Sequence, residues 1–131
     1  AIVLGRMEHL VEEARALAEA PDAGKAFFAF LARIVEEGAV KKDLMEALSS
    51  AGADFGRAMH RVKADMRSAL GVLLARAQEA GVVRKDVDAS EVLLLVMATY
   101  TAVARLPAPQ DAMRARLFTI VCDGLKAKKP R

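Results

Sequence analysis

Residues 88–105, DASEVLLLVMATYTAVAR, constrain what this chain can fold into more than any other stretch. Asp88 has the chemistry of an N-cap, and Glu91 follows three positions on, the spacing of a capping box. Residues 92–98 are then apolar without a break. Wound at ~100° per residue, they cover every side of a helix. Val92, Val96 and Val103 share one side, Leu93, Met97 and Tyr100 lie beside them, and Leu94, Ala98 and Thr101 occupy the third. A surface helix needs one apolar stripe, whereas a helix apolar all round is buried all round. A chain of 131 residues is short for that, because domains this small bury only ~65% of their surface. Each large side chain left in water forfeits roughly 1.5–3 kcal/mol. The spare face is therefore expected to meet a partner. The run is also well short of the ~20 residues a bilayer requires, so no membrane span is expected.

The rest of the chain reads as helices around one core. Val3, Met7, Leu10, Ala14 and Leu17 form a helical stripe within residues 2–19, with Arg6, Glu8, His9, Glu12, Glu13 and Arg15 on the other sides. Pro21 ends it and Asp22 can cap the next helix. Residues 23–37 carry Ala23, Phe27, Phe30, Leu31, Ile34 and Val35, and Phe28 widens the arc; Gly38 is a plausible stop. A shorter helix over 40–51 turns Leu44, Met45 and Leu48 inward, and Ser49, Ser50 and Gly52 make a joint. Asp54 caps a long helix over 55–80, whose stripe is Phe55, Met59, Val62, Met66, Leu70, Leu73 and Ala77. Gly81 is a natural C′ residue, with Val82 folding back in a Schellman ending. Leu106, Pro107, Ala108 and Pro109 break the chain after the central helix. Asp111 starts the last one, with Met113, Leu117, Ile120 and Gly124 expected inward and Phe118, Val121, Cys122 and Leu125 as a second apolar flank. No strand pattern or repeat is visible. The expectation is an all-α bundle of about six helices, one domain over residues 1–131.

Composition narrows the function classes. The net charge of +3 invites a nucleic-acid reading, but Lys126, Lys128, Lys129 and Arg131 put four positive charges in the last six residues. The remainder holds 16 basic and 17 acidic residues, so any basic patch belongs to a short tail. The single cysteine, Cys122, excludes an internal disulfide and is compatible with a reducing, cytoplasmic setting. Residues 1–20 lack the order of a signal peptide. The chain opens Ala-Ile-Val-Leu inside an amphipathic pattern, which reads as a helix entered from an upstream segment.

Catalytic patterns are missing. There is no glycine-rich phosphate loop, Cys-x-x-Cys or His-Glu-x-x-His, and Pro-Asp-Ala-Gly-Lys at 21–25 is a helix start. His9, near Glu12 and Glu13, reads as part of a solvated cluster rather than a metal site. His60 stands beside Lys63 and Arg67, which disfavour a bound metal. Cys122 has no acidic partner or neighbouring histidine in sequence and reads as a small hydrophobe at an interface. No enzyme, metal or cofactor is expected. Soft apolar material does stand out. Met7, Phe27, Phe30, Leu31, Met45, Phe55, Met59 and Met66 all fall on inward faces of the first four expected helices. Methionine fills irregular gaps and adapts to varied contacts, and pockets lie between bundle helices. Plain core packing accounts for any one of these residues. Taken together they are the candidate lining of a ligand pocket.

The connector Ala-Gly-Val-Val-Arg-Lys-Asp-Val-Asp at 80–88, leading into Val-Leu-Leu-Leu-Val, resembles the C-terminal effector domain of TetR-family transcriptional regulators. The opening Leu-Gly-Arg-Met-Glu-His-Leu-Val-Glu-Glu-Ala looks like the long helix that family places after its DNA-binding headpiece. The resemblance spans the chain through helix order, the long helix at 55–80 and the connector. It implies a homodimer through the last two helices, for which helical phase nominates Leu94, Met97, Ala98, Thr101, Leu117, Phe118, Val121 and Leu125. It implies a small apolar or amphipathic effector in the pocket, which relieves repression, and operator DNA bound through an N-terminal helix-turn-helix that this sequence lacks. The competing readings are a helical dimerisation or adaptor module with a solid core and, last, a small all-α enzyme.

Overall fold

The computed structural model describes residues 2–47, 53–107 and 111–127, with side-chain surroundings given for residues 5–36 and for most from 57 onward. Five helices are present among them: α1 (Ile2–Leu17), α2 (Ala23–Ala47), α3 (Ala53–Glu79), α4 (Ala89–Ala104) and α5 (Asp111–Leu125). The all-α class is as expected. The count is one lower because α2 runs through Gly38 without stopping. A glycine inside a helix costs only ~1 kcal/mol relative to alanine, and no proline follows to enforce a stop. The expected joint at Ser49, Ser50 and Gly52 lies outside the described residues. The third helix starts two positions early, so Asp54 falls inside its first turn.

Most local signals act as their chemistry requires. Asp22 caps α2, its Oδ1 accepting from the Lys25 amide at 3.0 Å. Helix α3 ends on Gly81, whose φ of 78° is the left-handed conformation that glycine adopts without a Cβ clash. The Gly81 amide donates to the Gln78 carbonyl and the Val82 amide to Ala77, which is the Schellman pattern. Asp88 and Glu91 form the full capping box: the Glu91 amide donates to Asp88 at 2.8 Å and the Asp88 amide donates to Glu91 at 2.9 Å. Asp88→Ala should therefore lower stability by about 1 kcal/mol. A urea midpoint unchanged by the substitution would show that tertiary packing alone sets the start of α4.

Helix α1 packs on α2 and α3, α2 also on α4, and α4 on α3 and α5. One core joins them, from Met7, Leu10, Val11 and Ala14 of α1 through Phe27, Phe30 and Leu31 to Leu70, Leu73, Val92 and Val96. On α4 the side carrying Val92, Val96 and Val103 is the enclosed one.

Helix α5 is rotated from its expected phase. Met113 and Ile120, placed in the core by the sequence pattern, are 43% and 48% exposed, and Gly124 is exposed too. Phe118 and Val121 instead pack on the core and Leu125 is enclosed in it. The two apolar arcs lie ~100° apart on the helix, so periodicity alone cannot choose between them. The choice is made where α5 ends. There Val83 and Lys126 form an isolated antiparallel bridge. The Arg84 amide donates to the Leu125 carbonyl and the Ala127 amide to Val82, both at 2.9 Å. Arg84 adds a bond from Nη1 to the Gly124 carbonyl at 3.2 Å. Val83 is fully buried at this junction, which turns the Leu125 side of α5 inward.

Candidate functional site

The described candidate residues fall in two apolar regions. The first is the interior between α1, α2 and α3. Met7, Phe27, Phe30, Leu31 and Met66 are brought together there in the single core cluster, and Phe27, Phe30 and Leu31 are completely enclosed. Phe28 meets Phe27 edge to face with ring centres 5.1 Å apart, an arrangement favoured by the ring quadrupoles. Met45, Phe55 and Met59 belong to α2 and α3, but their side chains lie outside the described residues. Among the described residues no polar or charged side chain is buried with this group. Such a region can offer shape, dispersion and soft thioether contacts to a guest, and no hydrogen bond from a buried side chain.

The second region is the outer side of α4 and α5. Leu94 is 69% exposed, and Leu95, Met97, Met113 and Ile120 are each exposed by more than two fifths. Ala98 and Thr101 share this outer side of α4. Of the α5 residues nominated for an interface, Leu117 is half-buried and Phe118 and Val121 are half-buried against their own core. Leu125 is inside the subunit at 2% exposure, so its side chain has no surface to give a partner. Met113 and Ile120, which the sequence pattern placed inward, are exposed instead because of the α5 phase. Burial pushes the Cys122 thiol up from its ordinary value, with Asp123 adding to the effect and Lys126 opposing it. A thiol held protonated is a poor nucleophile.

Polar contacts invisible in the helical pattern hold α1. Arg33 of α2 reaches Glu13 of α1 with two bonds, from Nε at 3.0 Å and from Nη2 at 3.3 Å. His9 Nε2 lies 3.0 Å from Glu13, and Arg33 also bonds Glu36 at 2.8 Å. His9 and Glu13 were legible as neighbours on one helix; Arg33, twenty positions away, was not. From α3, Arg76 donates to the Ala18 carbonyl and, at 2.8 Å, to the Ala20 carbonyl, closing the turn after α1. Gln78 likewise ties the connector through the Arg84 and Val87 carbonyls at 3.1 and 2.9 Å. Gly24 completes the junction, since a Cβ there would lie 2.7 Å from the Val82 side chain.

The Glu13 carboxyl is held below its usual 4.5, chiefly by the hydrogen bond from Arg33, with partial burial working the other way and the charges of Arg33 and His9 adding to the lowering. A depressed folded value means that the pair stabilises fully above the unfolded value and stops doing so as pH falls through the lower folded one. The gap in melting temperature between the wild type and Glu13→Gln should therefore hold from neutrality down to the unfolded value of 4.5 and close as pH falls below it. A gap that stays constant throughout an acid titration would place the effect elsewhere.

A family model describing the C-terminal domain of SbtR-like transcriptional regulators matches residues 22–127. The chain belongs to the TetR family of transcriptional regulators. Its fold is similar to that of a TetR transcription regulatory protein from Mycobacterium vanbaalenii, with a TM-score of 0.73 and 31% identity over 97% of this chain. It is also similar in fold to the TetR transcriptional regulator SCO0520 from Streptomyces coelicolor, with a TM-score of 0.74 and 24% identity over 95% of this chain. The chain spans 66% of the first protein's length and 70% of the second's. No curated protein matches it. The TetR resemblance carried by the connector and the opening helix is thus upheld. No described helix is long and apolar enough to cross a membrane.

Proposed function

We propose that this chain is the ligand-sensing and dimerising domain of a TetR-type repressor, whose hold on operator DNA is relieved by a small apolar or amphipathic effector. The observation that carries the reading is the wholly apolar interior that α1 shares with α2 and α3, on which Met7, Phe27, Phe30, Leu31 and Met66 converge. The helix that would lead to a DNA-binding headpiece is thereby also a wall of the ligand region. A guest accommodated there must change how α1 lies, and operator DNA must favour one position of α1 over another. Coupling of that kind is a population shift, typically worth about 1–3 kcal/mol between the two sites. The exposed apolar side of α4 and α5 would be closed by the same side of a second copy, as in a two-fold helical interface.

A thermal-shift screen of neutral apolar and amphipathic compounds tests the reading. A compound present at 100 times its Kd should add about 2.7 kcal/mol and raise the melting temperature by roughly 5–10 °C. Crystals of the complex should then show it between α1 and α2. The complete enclosure of Phe27, Phe30 and Leu31 favours the rival reading, an adaptor module with a solid core. A panel without a single binder would support that rival.

A further inference from the structure

Averaged along the chain, the charges before the C-terminal tail nearly cancel. The fold segregates them. Arg57, His60, Arg61, Lys63 and Arg67 of α3 are all exposed, and Asp65, the one carboxylate within residues 57–67, is half-buried. At 3.6 residues per turn, Arg57, His60, Arg61 and Arg67 share an arc of ~120°, with Lys63 at its edge. They make a strip ~15 Å long on the side of α3 away from the buried Val62, Met66 and Leu70. We infer that this strip is a sequence-independent docking surface for the phosphate backbone of duplex DNA. Other arginines work inside the fold: Arg33 ties α2 to α1, Arg76 ties α3 to the turn after α1, and Arg84 ties the connector to α5. Arg57 is engaged yet exposed, whereas Arg61, Lys63 and Arg67 form no ion pair among the described residues. Arg57 with Arg61, and Lys63 with Arg67, are like charges four positions apart, which weakens a helix rather than supporting it.

The occupant follows from what the strip holds and lacks. No large apolar side chain is exposed among the described residues 57–71. Protein–protein interfaces close over an apolar core, and single strands stack their bases on exposed aromatic rings. The strip has neither. Three arginines and a lysine suit a regular run of phosphates. Duplex DNA carries one charge per ~1.7 Å of its axis, so a strip of this length meets several in any register. The strip also lies at a fitting end of the bundle. Arg76, near the end of α3, holds the turn that ends α1. Because α1 packs along α3, the two run side by side, and residues 57–67 lie towards the start of α1. In the reading above, that end is turned to the headpiece and its DNA. The inference rests on that reading for the presence of DNA; the strip itself belongs to this chain.

Anisotropy of a labelled duplex of random sequence, titrated with this chain, tests the strip. With about three phosphates neutralised, the log–log salt slope should be about −2.7, a loss of about 40-fold in affinity from roughly 50 to 200 mM salt. The triple variant Arg61→Gln, Lys63→Gln, Arg67→Gln should bind at least about tenfold more weakly at the lower salt, with a flatter slope. It should melt no lower than the wild type, because the lost charges repel one another. Lys128→Gln, Lys129→Gln, Arg131→Gln should keep the wild-type slope. No duplex bound at the lower salt, or binding lost with the tail variant and kept by the α3 variant, would overturn the strip. Poly-glutamate bound more tightly than the duplex would also overturn it, in favour of an acidic protein. An effector found in the thermal-shift screen with no duplex bound sinks the strip and leaves the sensor standing. Duplex bound through α3 with no effector found upholds the strip and counts against the sensor.

Discussion

Leu94→Glu should convert a dimer of this chain into monomers. Leu94 is 69% exposed on its own subunit, so a carboxylate there is solvated in the monomer and leaves the fold alone. In a two-fold interface the residue occurs twice, and each copy would lose its water without gaining a counter-charge. Removing an ion from water costs several kcal/mol even after relaxation. At about 1.4 kcal/mol per tenfold in affinity, association should weaken by on the order of 1000-fold or more. Sedimentation velocity across a concentration series reads this directly. Ile120→Glu should act in the same way, because the phase of α5 puts it on the outer side. Val72→Glu is the control: Val72 is 52% exposed on α3, outside the two helices assigned to the interface, and its substitution should leave the association state unchanged. Leu94→Glu and Ile120→Glu proteins that remain dimeric would remove α4 and α5 from the interface.

Phe30→Ala should cost about 3–5 kcal/mol of folding stability. Phe30 is completely enclosed in the shared core of α1, α2 and α3. Truncation loses the transfer energy of the ring and leaves a void that three helices can only partly close. Against a usual total of roughly 5–15 kcal/mol, that is a large share, and the urea midpoint should fall accordingly. Met113→Ala, at an exposed position, should change the stability of the isolated subunit by less than about 0.5 kcal/mol. A Phe30→Ala midpoint close to the wild type would show that the interior is loosely packed and collapses around the loss. That result would itself favour a region adapted to receive guests.

Local chemistry made much of this molecule legible in advance. Capping at Asp22 and Asp88 and the Gly81 turn depend on residues within one or two helical turns of each other. Such contacts form in any helix of that sequence, so reading them needs no knowledge of the fold. The inward placement of Met7, Phe27, Phe30, Leu31 and Met66 follows from the same 3.6-residue period. Gly38 failed as a stop because a stop signal is a preference of about 1 kcal/mol, and no proline follows to enforce it.

What the amino-acid order determined by itself was therefore the all-α class, the helix ends that carry caps, and the surplus of apolar surface on α4. What only the tertiary structure decided was which arc of α5 turns inward, and which side chains from distant positions meet α1. Helix α5 offers two arcs of similar hydrophobicity, and the bridge between Val83 and Lys126 selects the one carrying Leu125. Arg33 reaches Glu13 across twenty residues and Arg76 reaches Ala18 across fifty-eight. The physical reason is one of range: periodicity and capping act within a few residues along the chain, whereas these contacts exist only once whole helices have been set side by side.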